Sequence, residues 1–153
     1  MRTLILTVAA FAVFATSASA MQVGTAAGVA TPNTAGAKPA GLRILLGLNL
    51  RCARPGPTAI VVSLPKAWRV PKQVALTAIW IDSSHPKAAT VAGHTLTLQP
   101  VSPSGTCNVI APGTINVKFT RAAKLGIQRR TGHYTVRASF GTQGFSTRVS
   151  ICS

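Results

Sequence analysis

Acidic side chains are almost absent from this chain. Its 153 residues carry one acid, Asp82, against sixteen Lys and Arg, for a formal charge of +15. Aromatics are sparse at 5%, and there are three cysteines. Each shortage excludes something. Glycoside hydrolysis uses two carboxylates flanking the scissile bond, and one acid cannot supply both. Calcium, magnesium and two-metal phosphoryl sites gather several carboxylate oxygens and fail for the same reason. Asp82-Ser83-Ser84-His85 is the one place where the residue types of a hydrolytic triad cluster. Four consecutive residues cannot approach one another as that relay requires, and no G-x-S-x-G elbow occurs. The stretch reads as a polar turn closed by Pro86. The cysteines share no C-x-x-C spacing and the three histidines no H-x-x-x-H spacing, so no zinc site is expected. No catalytic residue, cofactor or metal is expected.

The N-terminus reads as an export signal over residues 1–20. Arg2 supplies the positive start, Leu4 to Ala15 the apolar run, and Ala18-Ser19-Ala20 the small residues for cleavage. Removal of Arg2 leaves fifteen bases and one acid, +14 on 133 residues. No later segment is apolar and long enough for a transmembrane helix. Residues 21–41, rich in Ala, Gly and Thr, read as a flexible leader. Residues 42–153 read as one folded domain.

Within that domain, seven short runs alternate apolar and polar residues between Pro and Gly punctuation. They begin at Leu42, Ala59, Val74, Thr95, Thr114, His133 and Phe145. A period of two marks strands that cover a core on one side. Seven of them predict an all-β fold, an immunoglobulin-like antiparallel β-sandwich of about seven strands. A closed barrel fits the same pattern. Arg121 to Gln128 is too short to stand as a helix and reads as a crossover between strands. The alternation puts Trp80, Phe119, Tyr134 and Phe140 on apolar faces, in the core. It leaves Trp68 near bases in a Pro-bounded loop.

The run Pro112-Gly113-Thr114-Ile115-Asn116-Val117-Lys118-Phe119-Thr120, then Ala122-Ala123, Leu125-Gly126-Ile127 and Thr131-Gly132-His133-Tyr134-Thr135-Val136, resembles secreted bacterial immunoglobulin-like modules. Leu64-Pro65 with Trp68 and Val70-Pro71 fits the same pattern. Those modules often have Asn-Pro after the Gly-Ile pair, where this chain has Gln128-Arg129. The resemblance implies the sandwich fold and brings no catalytic residue with it.

An exported chain meets an oxidising compartment, which favours a disulfide. The pairing expected is Cys52 with Cys107. It would close 56 residues counting both ends, with a stabilisation of roughly 4 kcal/mol in the chain-entropy model. Cys152 is then left over, either for an intermolecular bridge and a dimer or as an unbridged thiol.

The bases fall in groups. Lys66, Arg69 and Lys72 surround Trp68, and Arg121, Lys124, Arg129 and Arg130 place four bases in ten residues. They could form one anion-binding patch or belong to a generally positive surface. Specific nucleic-acid reading is not expected, because base-stacking aromatics are missing from the polar faces. The expectation is a secreted, non-catalytic, structural or adhesive module at a cell surface. Its partner would be an anionic envelope polymer, met first by Arg121, Lys124, Arg129 and Arg130. A surface-protein partner, as for an inhibitor or assembly subunit, is the alternative. An enzyme using Asp82 and His85 is a third reading.

Overall fold

A computed structural model describes residues 22–48, 59–100, 113–141 and 143–153. The expected export signal and the expected Cys52–Cys107 bridge lie outside the described residues.

The described residues form ten strands: β1 (Gln22–Val23), β2 (Thr25–Thr31), β3 (Gly41–Leu48), β4 (Ile60–Ser63), β5 (Ile79–Ile81), β6 (Ala88–Ala92), β7 (Thr95–Gln99), β8 (Gly113–Phe119), β9 (Gly132–Phe140) and β10 (Gln143–Ile151). They make two sheets, ordered β1-β10-β9-β4-β7-β6 and β2-β3-β8-β5. All pairings are antiparallel except β1 with β10. With β1 and the β6–β7 hairpin set aside, the smaller sheet has the immunoglobulin order A-B-E-D and the larger one C-F-G. The hairpin is inserted between the D and E strands in sequence and widens the larger sheet beyond β4. Its two-residue turn, Gly93-His94, starts with a glycine at φ +60, the left-handed geometry that such tight turns require.

Alternation decides which faces meet. Leu42, Ile44, Leu46 and Leu48 of β3 are buried, as are Val117 and Phe119 of β8. Ile60, Val62, Leu96, Leu98, Val136, Phe145, Val149 and Ile151 face them from the larger sheet. Each such side chain contributes about 1.5–3 kcal/mol when fully removed from water. Tyr134 and Phe140 are partly buried against the same cluster. The Tyr134 hydroxyl donates to the backbone carbonyl of Arg130 at 3.0 Å. A Tyr at the start of the F strand, bonded back to the E–F corner, is a feature of this fold.

Two expectations are overturned. The first is the leader. Residues 25–31 are strand β2, paired with β3 from Thr25↔Gly47 to Thr31↔Gly41. Beyond it, Thr34 bridges Cys152 and Ala40 bridges Leu125. The small residues are there because β2 crosses close to β10. A Cβ on Gly28 would lie 2.9 Å from Thr147 Cγ2 and 3.1 Å from Val149 Cγ2. A Cβ on Gly24 would run into the Phe145 ring. Missing side chains mark close backbone approach here, not flexibility. Gly28→Val is therefore expected to destabilise the fold by about 1–3 kcal/mol through overpacking. Chemical denaturation measures this, and an unchanged midpoint would contradict the close packing of β2 on β10.

The second concerns the tryptophans. Residues 76–78 form a 3-10 turn, not strand, with Ala78 and Ile79 both buried. That turn shifts the parity by one residue. Ile79 and Ile81 then face the core, and Trp80 lies half-buried on the outer face of the smaller sheet. Trp68 is 1% exposed and belongs to the core.

Candidate anion-binding surface

The four bases expected to meet an anion lie in the crossover from β8 to β9. Arg121 opens a 3-10 turn, Arg121–Ala123, which ends at Lys124 in the left-handed conformation, φ +56. The Lys124 amide donates to the Arg121 carbonyl at 3.0 Å. Ala123, Leu125 and Ile127 are buried and close one end of the sandwich, while Arg121, Lys124, Arg129 and Arg130 are exposed. Apolar residues thus anchor the loop and leave the charged ones in water.

Backbone hydrogen bonds join this loop to two other segments. On one side the Ala40 amide donates to Leu125 O at 2.7 Å, Ile127 to Ala37 O at 2.9 Å and Gly36 to Gln128 O at 2.8 Å. On the other, Arg69 donates to Gly126 O at 2.8 Å and Gly126 to Arg69 O at 3.0 Å. Gly126 allows that approach, since a Cβ there would sit 3.0 Å from Arg69 Cβ.

Three segments distant in sequence therefore share one end of the molecule. Besides the four crossover bases they carry Lys38, Lys66, Arg69 and Lys72, all exposed. Half of the chain's sixteen bases stand on these segments, and none of its acidic side chains does. With no acidic side chain on these segments to neutralise them, the eight bases give this end a net positive charge.

Asp82 lies beside β8, after β5. It has φ +54, its amide donates to Asn116 O at 2.8 Å, and its Oδ1 accepts from the Asn116 amide at 2.8 Å. His85 Nδ1 is 2.7 Å from the Ile79 carbonyl, so each of these side chains is engaged with backbone. No group of three His, Cys, Asp or Glu that could hold a metal occurs among the described residues. Cys152 is exposed, its Sγ 3.6 Å from Asn33 Nδ2. No helix among the described residues is long and apolar enough to cross a membrane.

No family model matches the chain, and no curated protein matches it in sequence. Among solved structures it is similar to BslA, a bacterial hydrophobin, with 14% identity and a TM-score of 0.51, over 83% of this chain and 98% of that one. It is also similar to the N-terminal domain of a Streptococcus gordonii adhesin, with 10% identity and a TM-score of 0.50, over 83% of this chain and 32% of that one. What is shared is the fold. The chain is an all-β, immunoglobulin-like sandwich, in keeping with the strand order.

Proposed function

We propose that this chain is an exported, non-catalytic module that adheres to a cell surface through electrostatic contact with anionic envelope polymers. The observation that carries this reading is the convergence of eight exposed bases on three joined segments at one end of the sandwich. Arg121, Lys124, Arg129 and Arg130 make the first contacts, with Lys38, Lys66, Arg69 and Lys72 beside them. The adhesin-like and hydrophobin-like folds among its structural neighbours accord with a surface role. Polyanion contacts between exposed groups are screened by salt, with a Debye length of about 8 Å at physiological ionic strength.

Retention of the chain from Met21 onward on its producer's cell envelopes, followed across a salt series, tests this. Release by moderate salt is expected. Retention that ignores salt would overturn the reading and favour a protein partner. For that second reading the exposed apolar side chains of the smaller sheet, Val29 at 51% and Leu45 at 39%, offer a contact surface.

A further inference from the structure

The outer face of the β2-β3-β8-β5 sheet holds an open groove of about 1050 Å³. Its floor is set by register. Val29 lies opposite Arg43, Arg43 opposite Lys118, and Lys118 opposite Trp80, so one row of side chains crosses all four strands. Asp82, Asn116 and Ser83 line the groove beside this row, and Arg121 lines it from the crossover.

Several of these groups are held in place. The Trp80 ring lies against the His85 ring, centroids 4.0 Å apart at 47°, and His85 is in turn fixed on the Ile79 carbonyl. Arg43 Nε donates to Asn116 Oδ1 at 3.0 Å, leaving the two terminal guanidinium nitrogens for a ligand. Asp82 Oδ1 is occupied by the Asn116 amide, and its second oxygen can accept a hydroxyl. An indole surface, planar polar groups and three cations against one carboxylate converge in this groove.

We infer that this groove binds a segment of acidic polysaccharide, one sugar ring lying on Trp80 and its anionic substituents meeting Arg43, Lys118 and Arg121. The C–H face of a sugar is apolar and suits the electron-rich face of an indole. Sugar hydroxyls need both acceptors and donors, which Asp82 and Asn116 supply. Carboxylate substituents suit the arginine fork and the lysine ammonium. The inference rests on the proposed adhesion to anionic polymers and identifies the polymer as a glycan. Arg121 stands at both places, so a polysaccharide strand can run from the groove onto the basic end.

Calorimetric titration with a hexamer of galacturonic acid tests it, beside a neutral glucose hexamer and inorganic polyphosphate as controls. The acidic hexamer is expected to bind, and Trp80→Leu and Lys118→Gln each to weaken it about tenfold. The neutral hexamer is expected to bind at least as weakly as these variants bind the acidic one. Lys118→Gln changes an exposed residue and decides the matter if Trp80→Leu lowers stability. Acidic-hexamer binding unmoved by both variants, or polyphosphate binding equally well and indifferent to Trp80→Leu, would overturn the inference. The broader reading is scored separately. Salt-released envelope retention with no effect of these two variants on hexamer binding removes the groove and leaves the basic end. Salt-insensitive retention removes the basic end.

Discussion

Trp68→Ala is expected to cost about 3–5 kcal/mol of stability, the range found when a large aromatic is deleted from a packed core. Trp68 is 1% exposed and follows Leu64, itself 5% exposed, in a turn closed by its own amide on Pro65 O at 2.9 Å. It belongs to the same buried cluster as Ala123, Leu125 and Ile127, the residues that close the basic end. Its neighbour Arg69 makes the paired hydrogen bonds to Gly126, so deleting the indole also loosens the joint between two basic segments. Stabilities of domains this size lie around 5–15 kcal/mol, so the loss is a large fraction of the total. Thermal melting is expected to fall by more than about 10 °C. In hydrogen exchange the Gly126 amide is expected to lose protection before the amides of β9 and β10. A drop below about 1 kcal/mol would mean the indole is not packed as a core side chain.

The same residue shows what was legible in the sequence. Seven alternating runs predicted strands, and each contains one: β3, β4, β5, β7, β8, β9 and β10. Alternation reports burial on one face, and these strands bury one face. β2 and β6 do not announce themselves in that way. β6 reads Ala-Ala-Thr-Val-Ala at an edge, with no buried residue. β2 has Ala30 as its one buried residue and is shaped by the close passage of β10. In both, backbone pairing and steric fit carry information that hydrophobic periodicity does not contain. The tryptophans were exchanged for a related reason. An unbroken period of two from Val74 assigns Trp80 inward, and the 3-10 turn at residues 76–78 resets the count. Trp68, flanked by bases, reads as a surface residue until the turn after Pro65 folds it inward.

The site was half legible. Density along the chain pointed to Arg121, Lys124, Arg129 and Arg130, and these bases are exposed on one loop. That Lys38, Lys66, Arg69 and Lys72 join them depends on the Ala40–Leu125 and Arg69–Gly126 bridges. Those bridges connect positions 85 and 57 residues apart in sequence, which no local spacing encodes. The groove was hidden by the misplaced Trp80, since its row exists only when residues 29, 43, 118 and 80 fall in register.

Whether the bases act as a patch or as a diffuse coat is decided by moving the same charge change around the surface. K124Q/R129Q/R130Q removes three positive charges from the basic end, and K87Q/R137Q/R148Q removes three exposed ones elsewhere. Arg121 is left untouched because it also lines the groove. Net charge falls equally in both, so a purely diffuse attraction weakens equally. A lysine or arginine close to an anionic surface contributes about 1 kcal/mol at moderate salt. Three at the contact then account for about a hundredfold in envelope affinity. The first variant is expected to show that loss, with a shallower dependence on salt because fewer counterions are displaced. The second is expected to keep its affinity within about threefold of the unsubstituted chain, since charges farther from the contact than the Debye length are screened. All six substitutions are at exposed positions, where changes in stability stay within about 0.5 kcal/mol, so unchanged melting serves as the control for folding. Equal losses in the two variants would replace the patch with a uniformly positive coat. A loss confined to the second would move the contact to the outer face of the larger sheet, where Arg137 of β9 and Arg148 of β10 lie.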